Sequence, residues 1–478
     1  MKLPNILRKV GHVAHAAANH VGSLAKPPRV ADLPGVDPRT VVPQFVARAL
    51  NDVGAAPAGE AKEVRAGSAP MGMGLQAKAS VRIPPGPGVV AVSTDALTGA
   101  VEWHIPAPGQ LANGVSVWVH REAEAARKVG VFQIPGARAA VIHALAQAES
   151  AFKNGVGLKR LPPRSLNPLA AQPPLKLADV AGFPAMVLQN DHLVQGDIGP
   201  GRALLLIHGI IDRVYGFALA PLFIWGDLLQ QLQAMYGSRV YAFDHPTIFA
   251  TPEENAAVLV ERIPDNVELD ILCHSRGGLV ARCLLRQLRA RPGVTVRNVI
   301  FMAAANQGSP LAEHKHLADM LSLLSSRGAR SPVSNANLNE AGTVMVRLAQ
   351  ALALGIEDLP GVQALVPGSA LIRGLNNDPT KAVERYSFIR ANLDATQEPL
   401  LKPLEMVSDR GFKGTPSDLV APFEGVVNLG SHTPQLNEDP EVTDALGTPA
   451  KAQGHWHHLN LLDSPKVRAF ILKRLLLP

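Results

Sequence analysis

The sequence predicts an α/β protein: a mostly parallel β-sheet with helices on both faces, preceded by a small N-terminal α+β region. Three observations carry this. Between about residues 200 and 302, four stretches that are apolar along nearly their whole length alternate with amphipathic helical patterns, as strands buried on both faces do. Each stretch ends in a polar or glycine-bearing group, namely His208-Gly209, Asp244-His245, Ser275 and Asn306-Gln307-Gly308-Ser309-Pro310. Sheets of this kind carry their sites at the carboxyl ends of the strands. A proline-rich segment, 161–175, separates this pattern from what precedes it.

Along the chain, residues 1–25 place Leu3, Ile6, Leu7, Val10, Ala14, Ala17, Val21 and Leu24 on one helical stripe opposite Lys2, Arg8, Lys9 and His12. Such a helix suits docking on protein, or peripheral binding to an anionic membrane surface. Segments 26–38 and 55–75, rich in Pro, Gly and Ala, read as linkers around a short helix at 41–53. Strand-like pieces begin at Ala79, Val89, Val115 and Val129, followed by a helix at 137–152. A hairpin is expected from 185–188 and 192–194, then strands from Ala203, Arg239, Val267 and Val296, with a helix at 222–235. The expected organisation is therefore helices and linkers at 1–77, an α+β unit at 78–175, and an α/β domain at 176–478. Within the last, the Leu-, Ala- and Met-rich insertion at about 311–380 reads as a mobile helical cap.

Composition narrows the classes. With 478 residues, 47% of them hydrophobic, the chain can bury a large core. Two cysteines make no disulfide framework, so a reducing, cytoplasmic setting is expected. No apolar run is long enough to span a membrane, and His12, His15, Asn19 and His20 interrupt any signal-like stretch. The net charge of +6 is spread along the chain without basic–aromatic interleaving, which speaks against nucleic acid as a partner. His455, His457 and His458 lack accompanying carboxylates or cysteines at ligand spacing, so no metal is expected.

The chemistry centres on Cys273-His274-Ser275-Arg276-Gly277-Gly278, where a β run stops and a helical pattern begins. A sharp strand-to-helix turn strains its central residue and holds that side chain clear of the sheet, provided that small residues flank it two positions either side. Cys273 and Gly277 fill those positions, which makes Ser275 the candidate nucleophile. A serine hydroxyl needs a histidine to take its proton and a carboxylate to orient that histidine.

These features resemble the α/β-hydrolase superfamily of lipase and esterase type, over residues of about 180–478. The pentapeptide resembles Gly-x-Ser-x-Gly, with Cys in place of the first Gly. Pro416-Ser417-Asp418-Leu419-Val420-Ala421-Pro422 resembles the turn that carries the acid, and His457-His458-Leu459 through Val467 resembles the C-terminal histidine segment. The resemblance implies Ser275 as nucleophile, Asp418 as acid and His458 as base, with Asp394 and Asp409 as rivals for the acid and His455 and His457 for the base. His208-Gly209-Ile210 resembles an oxyanion loop, implying main-chain donors at Ile210 and Arg276, with His208, Gly209 and Gly277 in support. The Arg276 side chain is expected to form a salt bridge elsewhere rather than to bind substrate. The implied activity is cofactor-independent hydrolysis of a small-molecule or lipid carboxylic ester. An acyltransferase or thioesterase would use the same residues, and a non-catalytic interaction protein could use the fold as a scaffold.

Overall fold

The computed structural model describes residues 28–65, 76–84, 87–106, 115–120, 126–152, 157–160, 194–195, 198–212, 228–237, 239–330, 336–380, 383–395, 401–433 and 456–476. The amphipathic stripe at 1–25 and the expected strand at 185–188 lie outside these residues.

The chain opens with β1 (Arg29–Leu33), α1 (Gln44–Asp52), β2 (Ala56–Pro57), β3 (Ala61–Arg65), β4 (Gln76–Val81), β5 (Val89–Asp95), β6 (Val101–His104), β7 (Val115–His120), β8 (Ala126–Gln133) and α2 (Arg138–Phe152). The strands form an antiparallel sheet in the order β1-β3-β8-β5-β6, with β2 also on β8, and a separate β4–β7 pair. Alternation places Ala91, Val129 and Val131 in one apolar cluster with Ala79, Val81 and Val117 of the β4–β7 pair, while Val90, Val92 and Phe132 belong to the main core.

The second sheet comprises β9 (Gly157–Arg160), β10 (Val194–Gln195), β11 (Gly201–Ile207), β12 (Val240–Asp244), β13 (Val267–His274), β14 (Val294–Met302) and β15 (Val383–Ile389). Its order is β10-β9-β12-β11-β13-β14-β15, in which β12 to β15 and β11 run parallel and β9 and β10 are antiparallel additions. Helices α3 (Leu228–Met235), α4 (Pro252–Arg262) and α5 (Gly277–Leu288) connect the first four parallel strands. Leu204, Leu206, Leu272 and Ile300 pack with Leu228, Leu232, Ile471 and Leu475, while Leu205, Ile207 and Ile271 belong with Leu279 and Leu284. Both faces are therefore covered, as expected. The strand order reverses beside β11, so the carboxyl ends of β11 and β13 flank the switch-point crevice. This topology, with the turn after β13, is the α/β-hydrolase fold.

Between β14 and β15 lie α6 (Leu317–Arg330), α7 (Ala336–Ala353), α8 (Pro360–Gln363) and α9 (Ala370–Asn377); α10 (Lys402–Phe412), α11 (Phe423–Val427) and α12 (Pro465–Leu476) follow. The insertion expected as a mobile cap is packed against the N-terminal region. A Cβ on Gly342 of α7 would stand 3.0 Å from Phe45 of α1. The edge strand β6 is covered by a serine stripe on α6: Val101 N–H donates to Ser326 Oγ (2.8 Å), Trp103 N–H to Ser322 Oγ (2.8 Å) and Trp103 Nε1–H to Ser325 Oγ (2.9 Å). Those hydroxyls satisfy the outward N–H groups that an open edge would leave exposed.

Strand pairing crosses the boundaries that composition suggests. β3, in the expected linker region 1–77, pairs with β8 of the α+β unit. β9, expected in the α+β unit, joins the parallel sheet through β12. Val194 and Gln195 pair with β9, and the rest of the expected hairpin lies outside the described residues.

Candidate active site

β13 is buried at every position except Glu268 and delivers Ser275 to the carboxyl end of the sheet. There Ser275 adopts φ 56°, a left-handed conformation that costs a non-glycine residue about 1–3 kcal/mol. Its main chain is fixed on both sides. Ser275 N–H donates to Met302 O (3.1 Å), and Ser275 O accepts from Gly278 N–H (3.0 Å) and Ala305 N–H (3.1 Å). Gly277 admits the close approach of β11: a Cβ there would stand 2.5 Å from Ile207 O and 2.8 Å from His208 O. Cys273 is fully buried with its Sγ 3.5 Å from Ile300 O, and burial pushes its thiol pKa well up. It fills the place of the usual first glycine as a neutral packing residue.

β11 ends in the His208-Gly209-Ile210 loop, which lies against the serine. A Cβ on Gly209 would come 2.8 Å from Ser275 Cβ and 3.2 Å from its Oγ. His208 is buried, with Nδ1 2.8 Å from Gly209 O, Nε2 3.3 Å from both Asp244 Oδ1 and the His245 nitrogen, and its ring stacked on His245 at 4.0 Å. It braces the loop. Ile211, at φ 45°, donates its N–H to Thr247 Oγ1 (3.1 Å). Neither the Ile210 nor the Arg276 main-chain N–H meets an acceptor among the described residues.

The Arg276 side chain departs from expectation. It is fully buried and forms no salt bridge among the described residues. Instead, Nη2 donates to Ala250 O (2.5 Å) and Nε to Gly361 O (3.3 Å). Burial lowers its pKa to about 10, and Glu149 opposes that shift. Two carbonyl oxygens take Nε and Nη2 here, in place of the carboxylate that the sequence suggested, and Nη1 is buried without an acceptor among the described residues.

Asp418 and His458 come together. His458 Nδ1 lies 3.0 Å from Asp418 Oδ2, and His458 N–H donates to Asp418 O (2.8 Å). Asp418 Oδ1 accepts from Val420 N–H (3.0 Å) and Ala421 N–H (2.7 Å), which fixes the carboxylate plane. Both residues are buried. The pair is joined to the serine turn through His274, whose Nε2–H donates to His458 O (3.0 Å) and whose ring lies 4.7 Å from that of His458. Two of the rivals stand elsewhere. His457 Nδ1 accepts from Leu459 N–H within its own turn, Asp409 is exposed on α10, and His455 lies outside the described residues. The Asn306–Pro310 turn braces the acid segment: Asn306 Nδ2 donates to Val426 O (2.6 Å) and Ser309 Oγ–H to Val420 O (2.6 Å).

Sequence reasoning missed His274, Thr247 and Glu149. His274 and Thr247 lie within two residues of positions that were singled out, but hydrogen bonding to a distant main chain leaves no periodic signal. Glu149 sits in a helix with no motif around it. Among the described residues, no three His, Cys, Asp or Glu side chains gather to hold a metal, and no helix is long and apolar enough to cross a membrane.

Strand order and the strained serine turn define a member of the α/β-hydrolase superfamily. Within it, the chain belongs to the family described as Domain of unknown function (DUF7379), whose model matches residues 174–476. No curated protein matches the sequence. Among solved structures it is similar to lipase 1 from Pelosinus fermentans, at 15% identity and TM-score 0.37 over 59% of this chain and 100% of that one. It is also similar to the Bacillus licheniformis lipase BlEst2 (15% identity, TM-score 0.31, 58% and 92% covered). A third is phospholipase PlaB from Legionella pneumophila (13% identity, TM-score 0.30, 47% and 45% covered). At such scores these likenesses carry no argument about chemistry, which rests on the site itself.

Proposed function

We propose that the protein is a serine hydrolase that cleaves carboxylic esters through an acyl-enzyme on Ser275. The observation that carries this reading is the buried Asp418–His458 pair, 3.0 Å from Oδ2 to Nδ1 and tied through His274 to the strained serine turn. With its Nδ1–H held by Asp418, His458 keeps Nε2 as its basic nitrogen. His458 takes the Ser275 proton as Oγ attacks the ester carbonyl carbon. The free N–H groups of Ile210 and Arg276 receive the resulting oxyanion. Collapse expels the alcohol, which takes the proton back from His458. Water, deprotonated by the same histidine, then hydrolyses the acyl-serine and releases the acid.

An apolar acyl group is the reading that the Leu-, Ala- and Met-rich composition of the insertion favours. The test is hydrolysis of a p-nitrophenyl ester series of increasing acyl length by the wild type and by Ser275→Ala. Turnover in the wild type alone, with a burst of p-nitrophenol at high enzyme concentration, supports the reading. Equal rates in the two proteins would overturn it.

A further inference from the structure

The loop that follows β12 is held from outside the hydrolase sheet. Glu149, in the last turn of α2, is buried, and its carboxylate receives the Thr247 N–H (2.5 Å), the Thr247 hydroxyl (3.0 Å) and the Ile248 N–H (2.8 Å) on Oε1, with the Phe249 N–H 3.4 Å from Oε2. A carboxylate can only accept, so the Thr247 hydroxyl must donate to it. This direction leaves the Thr247 oxygen as an acceptor, and the Ile211 N–H uses it at 3.1 Å. The same loop reaches the serine turn by a second route: Ala250 O accepts from the Arg276 guanidinium, and Ile248 O accepts from the Gly361 N–H, whose own carbonyl takes Arg276 Nε.

We infer that Glu149 is a positioning residue for the oxyanion site, acting through Thr247 on the Ile210–Ile211 loop and through Ala250 and Gly361 on Arg276. Both peptide groups whose N–H atoms are without acceptors among the described residues, Ile210 and Arg276, adjoin atoms held by this network. Ile211 is a β-branched residue at φ 45°, a conformation that persists only where its surroundings fix it. The Ile211 N–H is engaged by Thr247, which leaves the preceding N–H, of Ile210, to serve the reacting centre. On this account the N-terminal region is a component of the active site and not a separable module. The inference rests on the serine-hydrolase reading for its effect on turnover, but not for the coupling itself.

The experiment uses the full chain and compares Glu149→Ala, Thr247→Val and Thr247→Ser with the wild type, each shown to be folded by its melting curve. On a p-nitrophenyl ester, Glu149→Ala and Thr247→Val are expected to lower kcat by about ten- to a hundredfold with little change in KM, below the 10²–10³ that removal of an oxyanion donor costs. Thr247→Ser keeps the hydroxyl and is expected to restore most of kcat. The double variant Glu149→Ala/Thr247→Val should lose little beyond either single one, because the two act in series. Hydrogen exchange followed by mass spectrometry provides the second readout: Glu149→Ala should speed exchange in residues 207–212 while leaving 294–302 unchanged. Folded variants with wild-type kcat and unaltered exchange at 207–212 would overturn the inference. A wild type without esterase activity counts against the hydrolase reading alone. Exchange at 207–212 then decides the coupling by itself.

Discussion

Replacing Asp418 by Asn isolates the orienting role of the carboxylate, since the two side chains have the same shape. The Asn oxygen can still accept from Val420 N–H and Ala421 N–H, and the main-chain bond from His458 N–H to residue 418 survives. What changes is the group facing His458 Nδ1 across 3.0 Å, which becomes an NH2 donor. The imidazole must then turn its lone pair toward Asn and carry its proton on Nε2, where it cannot accept the serine proton. The same exchange in a Ser-His-Asp triad lowers kcat by about 10⁴, equivalent to about 5.5 kcal/mol of transition-state stabilisation. The fold keeps three hydrogen bonds at this position but all three lose the charge of the carboxylate, a cost on the order of 1–3 kcal/mol. The assay is kcat on a p-nitrophenyl ester beside a melting curve. A folded Asp418→Asn variant that keeps more than about a tenth of wild-type kcat would show Asp418 to be a turn residue only.

Three further expectations follow from the geometry. Gly277→Ala puts a Cβ 2.5 Å from Ile207 O and should cost about 1–3 kcal/mol along with most activity; a wild-type melting temperature would mean the strand and helix are less tightly apposed. His104, whose pKa burial lowers from 6.5 to about 4, binds no proton in the folded state where the unfolded chain does. Stability present above pH 6.5 is therefore lost as pH falls toward 4, on the order of 3 kcal/mol in all, and His104→Leu should flatten the urea midpoint between pH 7 and pH 5. An unchanged slope in that variant would assign the pH dependence elsewhere. Ser322→Ala, which leaves the buried Trp103 N–H without its acceptor, should destabilise the joint between β6 and α6 by about 1–3 kcal/mol, read from the same urea midpoints.

The parallel strands were legible because burial on both faces writes near-continuous apolar runs such as Ala203–Ile207 and Val267–Leu272. The serine turn was legible because close approach demands small residues at fixed offsets, and Gly277 against Ile207 O is that demand realised. His455 and His457 stayed rivals to His458 because all three precede the same helix, and the hydrogen bond from His458 to Asp418 spans 40 residues and leaves no local pattern. The packing of the insertion was hidden as well. Its apolar faces read as the underside of a cap, whereas α6 and α7 pack with α1, α2 and β6, a partnership that spans more than two hundred residues in sequence. Glu149 escaped for the same reason, acting on Thr247 at a separation of 98 residues.

The most direct measurement is reaction of the folded full-length chain with a fluorophosphonate, followed by peptide mapping, with Ser275→Ala as control. Covalent phosphonylation at Ser275 in the wild type, lost in the variant, is expected of a serine activated by His458 with two N–H groups ready to stabilise the phosphonyl oxygen. A folded wild-type chain that remains unlabelled, or one labelled equally in Ser275→Ala, would contradict the assignment of Ser275 as the nucleophile.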